Sequence, residues 1–237
     1  MAKPPEVQKC WICGKDATTR EHTTKRSDIN RIHSDITQDT PAYMHTNAFV
    51  NRKVQSSDSQ AFKSKTRMCN ACNSGLTQPY DKAWDKLSAW LTSNSGVVIL
   101  GNYLNADVIF PTETATSLID VQLYFTKWLA TRILDGKIDL SIDTFATVLR
   151  KRIAHPHLYL GICRTNQTMG VPITALGDIQ GSVHNGRIVG LFSTYILNHL
   201  AIAVYYAEHG HFDGQYRDLW HPSRNTIRFE ILQLRGK

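Results

Sequence analysis

The chain lacks any apolar run long enough to cross a bilayer. Its longest greasy stretch, Leu200 to Tyr206 (LAIAVYY), falls far short of the roughly 20 residues a spanning helix needs. The opening residues, MAKPPEVQKC, hold no apolar segment of signal-peptide length. Proline and glycine are sparse, 8 and 14 of 237 residues, which excludes a fibrous or low-complexity chain. No internal repeat is present, so a solenoid is excluded too. These absences predict a folded cytoplasmic protein with no membrane partner. Five cysteines in a reducing compartment do not make a disulfide framework.

Four of those cysteines come in pairs. Cys10 and Cys13 lie in CWICG, and Cys69 and Cys72 lie in MCNACNSG. A Cys-x-x-Cys turn lets two thiolates reach one ion, and two such turns complete a closed tetrahedral zinc site. The sequence therefore predicts structural Zn2+ on Cys10, Cys13, Cys69 and Cys72. Binding free energy on the order of 10 kcal/mol would replace the core that so short a segment cannot build. The fifth cysteine, Cys163 in LYLGICRT, reads as a core residue.

The net charge is +7, which favours a polyanionic partner. Residues 1–78 carry 12 Lys plus Arg against 7 Asp plus Glu, so the excess sits with the cysteine pairs. Four thiolates on a zinc dication would offset part of it. Within this segment, Asn51 to Arg67 reads as an exposed basic loop, and Glu21-His22 in TREHTTKR sets an acid beside an imidazole. On a regular strand those two side chains point to opposite faces.

Beyond residue 78 the periodicity changes. Tyr80, Ala83, Trp84, Leu87, Trp90 and Leu91 recur at helical steps, and Ser117 to Leu134 and Ser141 to Ala154 read as further helices. Then the period becomes two: His157 to Thr165, Arg187 to Leu197, His199 to Ala207 and Thr226 to Leu234 read as strands, with HNG (His184 to Gly186) as a turn. The expected fold class is α+β: a zinc-stapled module over residues 1–78, then a helical and mainly antiparallel-sheet domain over residues 79–237. The second domain would recognise substrate, form a dimer or act as a sensor. His155, His157, His209 and His211 read as turn or surface residues, Trp90, Trp128 and Trp220 as core, and Arg150, Lys151 and Arg152 as a solvated helix face.

CWICG, TREHTTK and CNACNSG, taken in that order, resemble the HNH or ββα-metal endonucleases, in particular their zinc-knuckle branch. The resemblance covers only the first third of the chain. It implies that His22 is the general base on water and that Glu21 and Asn73 bind a catalytic Mg2+ or Mn2+ ion. DNA would be the substrate, and a homodimer would supply two cuts. Thr23 and Thr24 stand where many relatives carry an apolar residue and a proline, while Lys25 agrees with the basic residue common there. Asn47 and Asn51 compete for the role of fixing the histidine loop. The rival expectation is a non-catalytic zinc module that binds nucleic acid or protein, and a third is a defence protein whose second domain releases the nuclease.

Overall fold

The structure is a computed structural model that describes residues 8–47, 49–165, 171–211 and 218–233. The opening segment, Ala48 and the end of the last expected strand at Leu234 lie outside the described residues. The fold is mixed α+β with antiparallel sheets.

Its centre is one helix. Thr114–Asp135 (α4) buries almost every residue from Leu118 to Ile133. A helix covered on all sides must be wrapped by other elements. On one side lies Gln78–Ser93 (α2), where Trp84 stacks on Tyr124 at 5.4 Å and meets Phe125 edge-on at 4.8 Å. Asp143–Lys151 (α5) follows, and the short Ser95–Leu100 (α3) links α2 to the sheet. Among the described residues no helix is long and apolar enough to cross a membrane.

The main sheet packs on the other side. Its strands are Tyr103–Asn105 (β5), Leu158–Arg164 (β6), Thr174–Leu176 (β7), Gln180–His184 (β8), Arg187–Leu197 (β9), Leu200–Ala207 (β10) and Arg228–Gln233 (β11). The order is β5-β11-β6-β10-β9-β7, with β8 also pairing β9, and among the described residues only β11 and β6 run parallel. The expected HNG turn joins β8 to β9, with Asn185 and Gly186 both at positive φ. That is the backbone a two-residue hairpin requires. All of β10 is buried, yet the alternation survives: Leu200, Ile202, Val204 and Tyr206 join the main core, while Ala201, Ala203, Tyr205 and Ala207 form a second cluster with Cys163 and Leu219. Cys163 is thus the core residue expected, its thiol pushed up to about 12 by burial.

Residues 1–78 form smaller pieces. Thr19–His22 (β1) pairs antiparallel with Lys63–Met68 (β4), Arg26–His33 (α1) leans on α2, and Ala42–Thr46 (β2) and Phe49–Val54 (β3) make a separate two-stranded ribbon. The stretch from Asn51 to Arg67 is therefore not an exposed loop. Ser64, Thr66 and Met68 alternate inward along β4, and the main-chain N–H groups of Lys65 and Thr66 donate to the Asp135 carboxylate at 3.0 and 2.6 Å. Small polar residues whose backbone is bonded in this way leave no apolar trace in the sequence. The main core contains Cys10, Ile12 and Met68 together with residues of α2, α4 and the sheet.

One surface expectation also fails. His155 is fully buried against Phe145, its ring centroid 4.4 Å away, with its main-chain N–H donating to Gln122 Oε1 and its Nδ1 accepting the His157 N–H, while Nε2 has no hydrogen-bond partner. Arg150 donates to the Ile12 carbonyl. Arg152 grips Asp120 through two bonds of 2.9 and 2.7 Å, so this helix end ties segments together while Arg150, Lys151 and Arg152 stay exposed as expected. Of the tryptophans expected in the core, Trp128 and Trp220 are buried and Trp90 is half-buried.

Candidate metal centre and the Glu21-His22 site

The first knuckle is a tight turn in which Gly14, at φ 77°, donates its N–H to the Cys10 carbonyl at 2.7 Å. A side chain is disfavoured at that φ, so glycine follows the second cysteine. The second knuckle opens a π-helical turn, Ala71–Leu76, closed by the Thr77 N–H on the Cys72 carbonyl at 3.1 Å. The extra residue in this turn lets the chain run from the cysteines straight into α2.

These turns bring Cys10, Cys13, Cys69 and Cys72 together, with their sulfurs all within 4.8 Å of one another and Cys13 to Cys69 at 3.5 Å. Sulfurs tetrahedrally placed about 2.3 Å from zinc would be spaced by about 3.8 Å, so the set fits such an ion. Among the described residues this is the one group of three or more His, Cys, Asp or Glu side chains gathered closely enough to hold a metal. Burial raises the Cys69 thiol, but the Cys72 main-chain N–H and the neighbouring sulfurs outweigh it and bring the value down to about 7. Burial raises the Cys13 and Cys72 thiols in the same cluster, so Cys69 is the one of these three favoured as thiolate.

Asp16 and Lys9 close the first knuckle with a 2.6 Å pair, and the Thr18 N–H and Thr19 hydroxyl both bind the Met68 carbonyl, at 3.0 and 2.9 Å. The pairing of β1 with β4 thus starts beside the cysteines. It is interrupted after Arg20: Arg20 faces Arg67, but His22 faces Lys63, so β4 bulges opposite Glu21. The regular alternation that would set Glu21 and His22 on opposite faces is broken at this point.

Glu21 reaches inward. Its Oε2 accepts from Lys127 Nζ at 3.2 Å, and the same ammonium donates to Asp81 Oδ1 and Oδ2 at 2.9 and 3.0 Å. Thr77 Oγ1 lies 3.4 Å from Lys127 Nζ and donates to the Asn73 carbonyl at 3.0 Å. A short bonded path therefore links the second knuckle to Glu21. Burial disfavours the Lys127 charge, yet Glu21 and Asp81 outweigh it and the net pKa is raised. Lys127 is an ammonium here.

His22 meets different neighbours. Asp58 Oδ1 lies 3.5 Å from Nε2, Lys63 binds the same carboxylate at 3.0 Å, and the imidazole has a backbone hydrogen bond with Ser57. The 3.5 Å approach is not a hydrogen bond, and Nε2 is buried without one. Since burial, helped by Lys63, lowers the pKa despite Glu21 and Asp58, the ring is neutral at pH 7 and Asp58 is not its ion-pair partner there. Asn73 Oδ1 and, in the first knuckle, Trp11 Nε1 are also buried without a hydrogen bond. His22 Nε2 can accept a proton, and Asn73 Oδ1 can accept a hydrogen bond or bind a cation.

Asn47 and Asn51, the competing candidates for fixing the histidine loop, both sit exposed at the β2–β3 ribbon, where the Asn51 N–H contacts His45 Nδ1 at 3.4 Å. Ser57 and Asp58 occupy that place. Lys127 and Asp81 escaped sequence reasoning. Asp81 had a faint signal, since Asn73, Thr77, Asp81 and Asp85 recur at four-residue steps; Lys127 had none, because only the fold brings it across 106 residues.

A second polar cluster braces the site. Asp28, fully buried on α1, accepts from Trp84 Nε1 at 2.8 Å and the Tyr195 hydroxyl at 2.7 Å, and pairs with Arg31. Tyr195 Oη also accepts from the Lys25 N–H at 2.8 Å, and Lys25 Nζ lies 3.3 Å from Asp85. The residues just after His22 are thereby tied to both α2 and β9.

Comparison with protein-family models, with curated proteins and with solved structures finds no match to this chain.

Proposed function

We propose that this chain is a metal-dependent endonuclease of the ββα-metal kind, hydrolysing phosphodiester bonds in DNA. One observation carries the reading. The β1–β4 pair and helix α2 are joined through the four-cysteine cluster, and beside that joint two potential acceptors, His22 Nε2 and Asn73 Oδ1, are buried without hydrogen-bond partners.

The residues support distinct tasks. Neutral His22 accepts a proton at Nε2 from the attacking water, with the Ser57 backbone fixing the ring. Glu21, through the carboxylate oxygen that Lys127 does not engage, and Asn73, through Oδ1, would hold Mg2+ or Mn2+. That ion, when bound, supplies charge neutralisation at the phosphate and the departing oxygen. The four cysteines would hold structural zinc and so set the knuckle that carries Asn73. DNA as the partner is supported by the basic balance of residues 1–78 and by the exposed ribbon bearing Arg52 and Lys53. A two-stranded ribbon fits the major groove.

The rival, a zinc module that binds without cutting, also has an observation in its favour: the Glu21 charge is already met by an ammonium. His22→Ala separates the two. Supercoiled plasmid is incubated with Mg2+ or Mn2+, with chelated controls. The variant should lose about 10²–10⁴-fold in nicking rate while its zinc content and fold stay unchanged. Equal nicking by both proteins removes the proposed base, and no nicking by the parent protein favours the rival.

A further inference from the structure

The Glu21-His22 site has a cation built into it from a distant part of the chain. Lys127 is 1% exposed, and its ammonium is shared among Asp81, Glu21 and Thr77. The next residue, Trp128, donates its indole N–H to the Thr23 carbonyl at 2.9 Å. Glu21 and Thr23 flank His22 in sequence. Two consecutive side chains of α4 therefore grip the residues immediately before and after His22. A packing role alone does not call for this choice, because a desolvated ammonium is costly where an apolar side chain would fill the same space.

We propose that Lys127 and Trp128 are positioning residues for the nuclease site, an inference that rests on the reading above. Trp128 fixes the main chain that presents His22. Lys127 orients the Glu21 carboxylate by holding one oxygen, and its charge limits how tightly that carboxylate takes a divalent cation. The balance is electrostatic: a positive group beside Glu21 repels a second positive group. In Lys127→Met, Glu21 and Asp81 become neighbouring carboxylates without their shared counter-ion. A divalent cation then fills that role, more tightly and in a less productive position.

The test uses the full zinc-loaded chain and four proteins: the parent, Lys127→Met, Lys127→Arg and Trp128→Phe. Mn2+ binding is read from the resonance of free Mn2+, and plasmid cleavage gives kcat and KM. Lys127→Met should bind Mn2+ about 10-fold more tightly and lose about 10–100-fold in kcat, with KM for DNA little changed. Lys127→Arg should return both quantities toward the parent. Trp128→Phe should lower kcat about 10-fold and leave Mn2+ affinity as it was. A folded Lys127→Met with unchanged Mn2+ affinity and kcat overturns the proposal. Should that variant not fold, an unaltered kcat in Trp128→Phe overturns it instead. A parent protein that neither binds Mn2+ nor cuts removes the nuclease reading and this inference together, whereas an active parent with indifferent variants removes the inference alone.

Discussion

Acid should unfold this protein sooner than its carboxylates alone would dictate, through His155. The ring is fully buried beside Phe145 and Tyr206, Nδ1 accepts the His157 N–H at 3.1 Å, and Nε2 has no hydrogen-bond partner. Burial, with His157 and His221 nearby adding to it, pushes its pKa down to about 3. An unfolded chain takes up a proton here near pH 6.5, while the folded chain refuses it until about pH 3. The folded pKa is the lower one. The group therefore costs nothing above pH 6.5, and stability is lost as pH falls below that value. The loss is about 1.4 kcal/mol per pH unit, or about 2.7 kcal/mol by pH 4.5. That is a large share of a net stability of roughly 5–15 kcal/mol.

The assay is urea unfolding between about pH 7.5 and pH 4.5 on the parent and on His155→Asn, whose carboxamide oxygen can still take the His157 N–H. At neutral pH the variant should be weaker by about 2 kcal/mol for lost packing. The gap should then close, or reverse, as the pH falls. Acid release of metal from the cysteines affects both proteins alike and cancels in the difference. Parallel curves across the range would refute the argument.

Two further outcomes follow from the geometry. The purified chain should carry one zinc on its four cysteines, and strong chelation should lower Tm by at least about 10 °C; an unchanged melting curve with the zinc removed would show that the knuckle does not depend on the ion. Asp28→Asn strips the charge from a carboxylate that Trp84, Tyr195 and Arg31 share, and should cost about 3 kcal/mol in denaturant unfolding; a loss under about 1 kcal/mol would mean that this buried cluster is not cooperative.

The parts legible in the sequence were those whose signal is local. Cysteine spacing announced the clustered thiols, the Tyr80 to Leu91 periodicity announced α2, and the HNG turn between β8 and β9 was readable because positive φ calls for such residues. Most of β9 and β10 followed from β-branched and aromatic runs. The illegible parts are polar or non-local. Helix α1 buries only Asp28, Ile29 and Ile32, too few for a clear stripe, and β4 hides serine and threonine where an apolar pattern was sought. His155 looked like a surface residue because its burial is created by Phe145, Gln122 and Tyr206, contributed by other helices and a strand. Lys127 sits in an apolar helix whose partners are chosen by the fold.

The central helix also imposes an order on synthesis. As the ribosome releases the first 78 residues, both cysteine pairs and the Glu21-His22 dipeptide already exist, but the amine that meets Glu21 lies 106 residues further on and the phenol that meets Asp28 lies 167 further on. Until α4 and β9 emerge, the Glu21 carboxylate lacks its ammonium and the Asp28 carboxylate its phenol, although β4 and Ser57, which meet β1 and His22, are already made.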